Sequence, residues 1–341
     1  MKKRILIIEV NWLGDVLFST PFIRSVREAN KGGYIACLVH PRCAEILEGN
    51  PAIDEIIIYD EEGLHKSALG KIKLILSLRR KHFDTVYILH RSFTKALIGY
   101  LTGAKERIGY PTKNRGRLLT KAVEEPDIGA HSADNFLNLA GEPAAAAAKR
   151  RRYEFFIKDD DRRYIKDLLS ARGIGADDKF ITLCPGGNWD PKRWPKESFA
   201  VLSDMLARKY GVRIVITGGA KEKGLAENIR SIMKNSAVVT CGDTNLKQLG
   251  AIFERSYLVV ANDTGSMHIA VAMGTKVIAL FGPTSPEITG PYGTGNYRVV
   301  NSRIECDIPC YDVTCRDNRC MKAISVEEVF AEAVGILGQN L

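Results

Sequence analysis

The densest group of residues able to do chemistry lies in the stretch NDTGSMHIAVAMG, residues 262–274. Thr264, Gly265 and Ser266 follow an apolar run and open a helix of small residues. Their backbone N–H groups would carry the positive end of the helix dipole and be available to an anion. His268, one turn further on, could donate to the same anion, although a single histidine is often a structural residue of the core. The pattern predicts a phosphate-binding site.

A second turn would bring cations to the same edge of the sheet. The stretch CPGGNWDPKRWP follows another apolar run and contains Gly187, Lys192 and Arg193 before a helix that begins near Pro195. A cation at this place would stabilise the negative charge that develops on a leaving phosphate. The alternative interpretation of Lys192 is a solvated lysine in a surface loop.

Carboxylates occupy two further turns. Glu222, in TGGAKEKGLAE, could accept hydrogen bonds from ribose hydroxyls, as acidic residues do in nucleotide pockets. The stretch NWLGDVLFST follows the first apolar run, where a dinucleotide-binding protein would place three glycines. Here there is one glycine, Gly14, followed by Asp15. The first turn therefore does not have the composition of a dinucleotide site.

All of these turns fall at the ends of predicted strands, because apolar runs alternate with helical stretches throughout the chain. The order predicts an α/β protein with two doubly wound parallel sheets, whose ligands bind beyond the carboxyl ends of the strands. The expected strands are 4–10, 34–40, 53–59 and 85–90, then 180–184, 213–217, 237–240, 257–261 and 276–281. The expected helices of the first half include 21–29, 44–48 and 66–81.

A polar join at 158–161 separates the two halves. We expect an N-terminal domain of residues 1–157 and a C-terminal domain of residues 158–341, with a last helix at 325–338 that packs back toward the N-terminal domain. The stretch GEPAAAAAKRRR, residues 141–152, is of low complexity and is interpreted as a surface connection.

The composition is that of a soluble globular protein, with 341 residues, 45% hydrophobic and 26% charged. The basic start is followed by only four apolar residues before Glu9, so we expect no export. No apolar run approaches the roughly 20 residues that span a bilayer. We therefore expect a cytoplasmic protein whose membrane contact is peripheral, on the inner face of the inner membrane.

Positive charge is concentrated in the first half of the sequence. Residues 1–152 carry a net charge of +8 and the remainder +1, and residues 66–121 hold 14 basic residues against Asp84 and Glu106. This excess is either a set of solvated helix faces or a surface for an anionic partner. Nucleic acid fits poorly, because no binding module is recognisable and aromatic residues do not interleave with the basic ones. An anionic membrane surface or a phosphorylated glycolipid fits better.

Four cysteines near the end of the chain have the spacing C-x3-C-x4-C-x4-C, which departs from the paired C-x2-C of familiar zinc modules. They are weak candidates for a metal site, and we expect them to be reduced structural thiols. These residues are Cys306, Cys310, Cys315 and Cys320.

Six segments together resemble the ADP-heptose:lipopolysaccharide heptosyltransferases, glycosyltransferase family 9. The resemblance covers nearly the whole chain, and it is specific for the family but not for one member of it. The segments are GDVLFSTP, NPAIDEIIIYD, PGGNWDPKRWP, NDTGSMHIAVAMG, LFGPTSP and CDIPCYDVTCRDNRCM.

The resemblance implies a GT-B architecture, in which two Rossmann-like domains face each other across a cleft. The second domain would hold the ADP-heptose donor and the first the acceptor. Asp15 matches the family's catalytic aspartate and would be the general base of an inverting transfer, while an N-cap of the following helix is the alternative role. Lys192 would be the second catalytic residue. The donor-binding set would be Gly14, Gly187, Glu222, Asp263, Thr264, Gly265 and His268, with Asp263 on the sugar and Thr264 and Gly265 on the phosphates.

Neither a metal nor another cofactor is expected, because no paired-acid motif follows a strand. We place the lipopolysaccharide core and lipid A acceptor, as a hypothesis, near Lys113, Arg115 and Arg117, whose charges suit phosphates or carboxylates. The stretch KIKLILSLRRKHF could lie on the membrane or pack on the first sheet. The remaining alternatives are a nucleotide-sugar epimerase of similar fold, a transferase with another donor sugar, and a non-catalytic lipid-binding protein.

Overall fold

A computed structural model of the chain describes residues 2–126, 129–141, 151–302, 304–310 and 312–338. Within them the chain divides into two compact units, Met1–Phe156 and Ile157–Leu341. Most of the connection expected at 141–152, namely residues 142–150, lies outside the described residues. Each unit is built on one parallel sheet with helices between successive strands.

The described part of the first unit contains a six-stranded sheet. Its strands are β1 (Arg4–Ile8), β2 (Tyr34–Val39), β3 (Glu55–Ile58), β4 (Thr85–Ile88), β5 (Glu106–Gly109) and β6 (Lys121–Ala122). They pair in the order β3-β2-β1-β4-β5-β6, and all neighbours are parallel. The apolar runs of the central strands are buried because helices cover both faces of a parallel sheet. The strands β5 and β6 were not predicted, since both begin with charged residues.

The helices of the first unit include one that begins earlier than predicted. They are α1 (Leu13–Ala29), α2 (Pro41–Leu47), α3 (Ala68–Arg79), α4 (Phe93–Leu101) and α5 (Ser132–Leu139). The sequence suggested that α1 begins at Pro21, but Pro21 lies inside it. Proline has no N–H for the carbonyl of Leu17, four residues earlier. The hydroxyl of Thr20 donates to that carbonyl at 2.7 Å instead, so the helix continues through the proline.

The described part of the second unit repeats the plan. Its strands are β7 (Phe180–Cys184), β8 (Arg213–Ile216), β9 (Ala237–Val239), β10 (Leu258–Asn262), β11 (Val277–Phe281) and β12 (Tyr297–Asn301). They form a parallel six-stranded sheet in the order β12-β11-β10-β7-β8-β9. The first five strands were predicted. The edge strand β12 was not, because its residues are only partly buried and its sequence is less apolar.

Eight helices surround this second sheet among the described residues. They are α6 (Asp159–Ala171), α7 (Lys196–Tyr210), α8 (Lys223–Ile232), α9 (Leu246–Arg255), α10 (Gly265–Ala272), α11 (Pro286–Thr289), α12 (Arg319–Lys322) and α13 (Val326–Leu337). The packing of the last helix toward the N-terminal domain stays a prediction. Val329, Ala333 and Leu337 of α13 join the apolar core of the second unit, because they pack with buried residues of its own strands and helices.

No helix formed by the described residues has both the length and the apolar character needed to cross a membrane.

Candidate active site

Each sheet has a topological switch point, where the strand order reverses and later strands lie on the other side of the first strand. In the first sheet it lies between β1 and β4, and in the second between β7 and β10. Ligands of open α/β sheets bind beyond the carboxyl ends of the strands at this place. Asp15 follows β1, the loop that carries Lys192 follows β7, and Asp263 follows β10. Asp15 in the first unit, and Lys192 and Asp263 in the second, therefore lie at the switch point of their sheet.

Lys192 and Asp263 form an ion pair in the second unit. The Nζ atom of Lys192 lies 2.6 Å from Oδ2 of Asp263. The Thr284 hydroxyl, which follows β11, donates to the same oxygen at 2.8 Å. The ammonium group also lies 4.9 Å from the centre of the Trp189 ring, a cation–π distance. Lys192 is therefore held in place by a carboxylate and an indole ring, which a solvated loop lysine would not be.

The first turn of α10 follows this ion pair directly. Thr264 is the N-cap residue with an extended backbone, and its hydroxyl makes no capping hydrogen bond. The first N–H groups of a helix have no partner inside it, so those of Gly265, Ser266 and Met267 can bind an anion. The His268 ring is buried, with Nε2 3.9 Å from Oδ1 of Asp263. The structure thus brings Lys192, Asp263 and the helix end together.

Glu222 connects the loops that follow β7 and β8. Its Oε1 accepts a hydrogen bond from the Gly187 N–H at 3.1 Å, and its Oε2 accepts one from the Gly219 N–H at 2.7 Å. A side chain on Gly186 or on Gly218 would overlap the carboxylate, so glycine at both positions lets Glu222 keep this place. Each carboxylate oxygen has a second lone pair, which leaves Glu222 able to accept from a hydroxyl of a ligand.

Asn262 and Trp194 hold the loop that carries Lys192, and the sequence did not reveal either role. The Asn262 amide donates to the carbonyls of Pro185 at 2.8 Å and Gly186 at 3.0 Å, at the start of the loop. Its side-chain oxygen accepts from the Trp194 N–H at 3.2 Å, at the end. The indole N–H of Trp194 donates to the carbonyl of Ile324 at 2.9 Å. The position of Asn262 as the last residue of an apolar strand was the available signal.

Asp15 lies in the first turn of α1, in the first unit, and is half-buried. It is not the N-cap, because Trp12 occupies that position. An acidic residue in the first turn interacts favourably with the helix dipole. The turn before it is braced from α2: Arg42 Nε donates to the Asn11 carbonyl at 2.9 Å, and the Arg42 guanidinium lies 4.3 Å from the centre of the Trp12 ring. These contacts fix the backbone that presents Asp15.

Buried charged residues lie close to this turn, and sequence reasoning missed them. Glu9, directly after β1, is fully buried, and burial raises the pKa of its carboxyl to about 8. A 3.1 Å hydrogen bond from Ser19 and the charge of Lys95 act in the opposite direction and lower this pKa. Lys95 in α4 has its Nζ 2.5 Å from Oε1 of Glu61 and 4.1 Å from the centre of the Tyr59 ring. Burial lowers the pKa of Lys95. The available signal for Glu9 was a charge that directly follows an apolar strand.

The three basic residues proposed for the acceptor separate into two classes. Lys113 and Arg117 are exposed, and Lys113 has a positive φ of 52°. Arg115 corrects the expectation, because it is completely buried and donates to the backbone carbonyls of Tyr110, at 2.6 Å, and His90. Burial lowers the pKa of Arg115 to about 10. Its position between two exposed basic residues suggested a binding residue, but Arg115 instead forms hydrogen bonds inside the first unit.

The four late cysteines do not form a metal site among the described residues. Cys306 is exposed, Cys310 and Cys315 are half-buried and Cys320 is buried, and all are free thiols. Burial raises the pKa of the Cys320 thiol, and the nearby Cys306 and Cys315 act in the same direction.

Comparisons with known proteins agree with the geometry. The profile of glycosyltransferase family 9 (heptosyltransferase) matches residues 71–320. A lipopolysaccharide heptosyltransferase 2 of Escherichia coli K12 is 26% identical over 303 residues, which cover 84% of this chain and 85% of that protein. The glycosyl transferase family 9 structure from Veillonella parvula has a TM-score of 0.90 at 26% identity, covering 98% of this chain and 97% of that one. The E. coli ADP-heptose lps heptosyltransferase II has a TM-score of 0.81 at 24% identity, covering 98% and 99%. The predicted α/β, GT-B fold class is thereby confirmed, and the chain belongs to glycosyltransferase family 9, the heptosyltransferases, and is a glycosyltransferase.

Proposed function

We propose that the protein transfers heptose from ADP-heptose to a lipopolysaccharide inner-core acceptor, with inversion at the anomeric carbon. The observation that carries this proposal is the Lys192–Asp263 ion pair beside the open first turn of α10. The donor and acceptor classes are those in the names of the E. coli relatives. A transferase of the same fold that uses another donor sugar is the alternative.

The second unit would hold the donor. As the bond between the anomeric carbon and the diphosphate breaks, its electron pair leaves with the diphosphate oxygen, and negative charge grows there. Lys192 and the N–H groups after Thr264 would stabilise this charge, because a pre-positioned cation and helix end cost no reorganisation during the reaction. The Trp189 ring and Asp263 keep the ammonium group in position before the diphosphate arrives.

Two carboxylates of the second unit would orient the rest of the donor. Asp263 would accept hydrogen bonds from heptose hydroxyls through the oxygen that Thr284 does not occupy. Glu222 would accept from ribose hydroxyls while it remains bonded to the Gly187 and Gly219 N–H groups. His268 would support Asp263 from behind, since it is buried beside that carboxylate.

The first unit would hold the acceptor, with Asp15 as the general base. An alcohol is a poor nucleophile until its proton is being removed. The acceptor oxygen would form the new bond to the anomeric carbon as its proton passes to the Asp15 carboxylate. The half-buried position of Asp15 at the switch point supports this role, because the carboxylate is accessible while its backbone is fixed by the contacts of Arg42 with the preceding turn.

The exposed Lys113 and Arg117 would contribute to binding the anionic acceptor. A lipopolysaccharide precursor is anchored in a bilayer, so we further propose that the protein works in the cytoplasm as a peripheral protein at the anionic inner face of the membrane. The excess positive charge of the first half of the chain supports this location.

The proposal is tested by incubating the protein with ADP-heptose and truncated acceptors that end in Kdo or in heptose, and by measuring product masses. We expect Asp15→Asn to lower kcat by about 100- to 10,000-fold, since it removes the base, with a small change in the KM for ADP-heptose. Glu62→Gln, at an exposed acidic residue of the same unit, is the matched control and should leave kcat unchanged.

Three outcomes would overturn the proposal or a part of it. Turnover by Asp15→Asn within tenfold of the unmodified protein would remove the general base. Faster product formation from another ADP-sugar would replace heptose as the donor. Conversion of ADP-heptose to an isomeric nucleotide sugar without any acceptor would identify an epimerase.

A further inference from the structure

Helix α3 is apolar on two opposite faces. Leu74 and Leu78 face inward and belong to the core of the first unit. Four further apolar side chains lie on the surface and are 49% to 78% exposed; they are Leu69, Ile72 and Leu76 of the helix and Leu64 of the loop before it. A helix that only covers a sheet needs one apolar face, and its outer face is normally polar. The outer face of α3 therefore needs a separate explanation.

The exposed residues of α3 form one stripe. Residues at positions i, i+3 and i+7 of a helix lie on the same side, which is the spacing of Leu69, Ile72 and Leu76. Leu74 and Leu78 lie on the opposite side, because each residue turns the helix by about 100°. Single exposed leucines are normal on protein surfaces, but a continuous stripe marks an interaction surface.

Basic residues border this stripe on both sides. Lys66, Lys73, Arg79 and Arg80 are exposed, and in the part of the chain that the structure describes none of them has an acidic partner. Residues 63–83 contain no aspartate or glutamate. By contrast, Lys81, at the inner end of the same segment, is paired with Glu55 at 2.7 Å. Along α3 the stripe is thus an apolar line bordered by unpaired positive charge, whereas Asp60 and the exposed Glu62 lie beside Leu64 in the loop before the helix.

We propose that the outer face of α3 docks on the surface of a lipid bilayer rich in anionic phospholipids. The apolar stripe enters the boundary between headgroups and acyl chains, and the four basic side chains contact lipid phosphates. An exposed apolar stripe bordered by lysine and arginine is the pattern of helices that lie in the membrane interface. The complete absence of acidic side chains from the segment favours anionic lipid over a protein surface of mixed charge.

The topology gives this docking a consequence for the site of the first unit. Strand β3 ends at Ile58 and leads through the loop with Leu64 into the start of α3 at Ala68. The N-terminal end of α3 is therefore near the carboxyl ends of the parallel strands, the same edge at which Asp15 follows β1. Docking along the whole stripe lays α3 on the lipid surface and thereby places this edge beside it. The docking stands on the surface alone, whereas this consequence rests on the proposed function.

The docking is tested by co-sedimentation of the full chain with vesicles of phosphatidylcholine, with or without 30 mol% phosphatidylglycerol, at about physiological salt. We expect binding to the anionic vesicles that is at least tenfold tighter than to the neutral ones. The triple variant Leu69→Gln, Ile72→Gln, Leu76→Gln and the double variant Lys73→Glu, Arg80→Glu should each weaken it at least tenfold. Glutamine is a good helix former, so the helix should survive, which circular dichroism and thermal unfolding check.

Matched controls change the same chemistry elsewhere on the surface. Val201→Gln with Ile232→Gln removes exposed apolar residues of α7 and α8, and Lys31→Glu with Arg208→Glu reverses exposed charges. Both controls should bind within twofold of the unmodified protein. Equal binding to neutral and anionic vesicles, no binding at all, or full binding by the triple variant would overturn the proposal. A dimer that the triple variant dissociates in light scattering would also overturn it, since a second copy would then cover the stripe.

The transferase reaction is kept separate from this test. With an acceptor that lacks its lipid chains, the triple variant should retain kcat within twofold, because the stripe does not belong to the site that contains Asp15. Loss of vesicle binding with normal turnover supports the docking surface. Normal vesicle binding with no transferase activity in the unmodified protein would overturn the proposed reaction and leave the docking surface standing.

Discussion

Each unit places a lysine–carboxylate ion pair at the carboxyl edge of its sheet, and the two pairs are oriented oppositely toward solvent. In the second unit the side chain of Lys192 is 17% exposed and that of Asp263 is 7% exposed. In the first unit Lys95 is 2% exposed and Glu61 is 33% exposed. Only the member of an ion pair that solvent reaches can leave its partner and bind a ligand. In the second unit the cation, Lys192, is thus accessible to a ligand, whereas in the first unit the cation, Lys95, is buried.

The surroundings of the two lysines follow the same division. Lys192 is near the first turn of α10, whose N–H groups also attract an anion. Lys95 lies over the Tyr59 ring with burial lowering its pKa, which is the environment of a structural charge. Similar distances in the two pairs therefore do not mean similar roles. Accessibility and neighbours decide which pair can take part in binding.

Among the changes to these two ion pairs and their surroundings, the largest effect is expected from Lys192, and it tests whether the accessible cation acts on the leaving group. Lys192→Ala should lower kcat by about 100- to 1,000-fold, equivalent to about 3–4 kcal/mol of barrier, since it removes a pre-positioned donor to a developing charge. Steady-state kinetics with ADP-heptose measure this, with Lys196→Ala, an exposed lysine four residues away, as the matched control. A loss below tenfold would remove the functional difference between the two pairs.

The second effect concerns the buried charge of the first unit. The pKa of Glu9 is raised from 4.5 to about 8, so the folded protein holds this proton over a range where the unfolded chain has released it. Stability contributed by the neutral carboxyl is complete below pH 4.5 and is lost as the pH rises through about 8. Glu9→Gln cannot ionise and should be more stable than the unmodified protein by roughly a few kcal/mol at pH 8, because each tenfold change in an acid dissociation constant is equivalent to about 1.4 kcal/mol.

Urea unfolding at several pH values tests this prediction for Glu9. The advantage of Glu9→Gln should grow between pH 5 and pH 8 and stay constant above that range. Glu28→Gln, at a glutamate on the surface of α1, should show no such trend. An advantage that is the same at pH 5 and pH 8 would mean that Glu9 ionises normally in the folded state.

The smallest effect is expected for the stability contributed by the Lys95–Glu61 pair of the first unit. Glu61→Gln leaves the ammonium group of Lys95 buried without a counter-charge and should destabilise the protein by about 1–3 kcal/mol, below the usual loss for a buried pair because Glu61 is partly exposed. Lys95→Met removes the buried cation and should cost less. Chemical denaturation of both variants and of their combination measures the coupling. If Lys95→Met is the more damaging change, the lysine is more than one half of a structural pair.

The rule that functional residues follow the carboxyl ends of predicted strands located much of the candidate site from sequence. Asp15, Lys192 and Thr264 became candidates because each lies in a turn that follows an apolar run, and Asp263 was implied by the family resemblance. The rule could not identify what holds them, since the partners come from distant parts of the chain. Thr284 reaches Asp263 from the next strand, and Asn262 holds both ends of a loop more than 60 residues earlier in the sequence.

The errors in the first unit have a common cause. Lys95 and Arg115 are charged, and charged residues are expected at the surface unless a partner is known. Their partners are Glu61 and backbone carbonyls, which no local pattern reveals. The start of α1 was misplaced for a related reason: Pro21 looked like a first helical residue. The hydroxyl of Thr20, which replaces the missing donor, leaves no signature in the spacing of apolar residues.

The contact of Glu222 with Gly186 and Gly218 links three positions that are far apart in the sequence. A methyl group on either glycine would push the carboxylate out and break its bonds to two loops at once. A shorter residue at position 222 would instead open space beside both glycines. Replacing either glycine first would therefore displace the carboxylate, whereas replacing Glu222 first leaves room for a side chain at both glycines. A redesign of these two loops would therefore begin at Glu222 and vary the glycines afterwards.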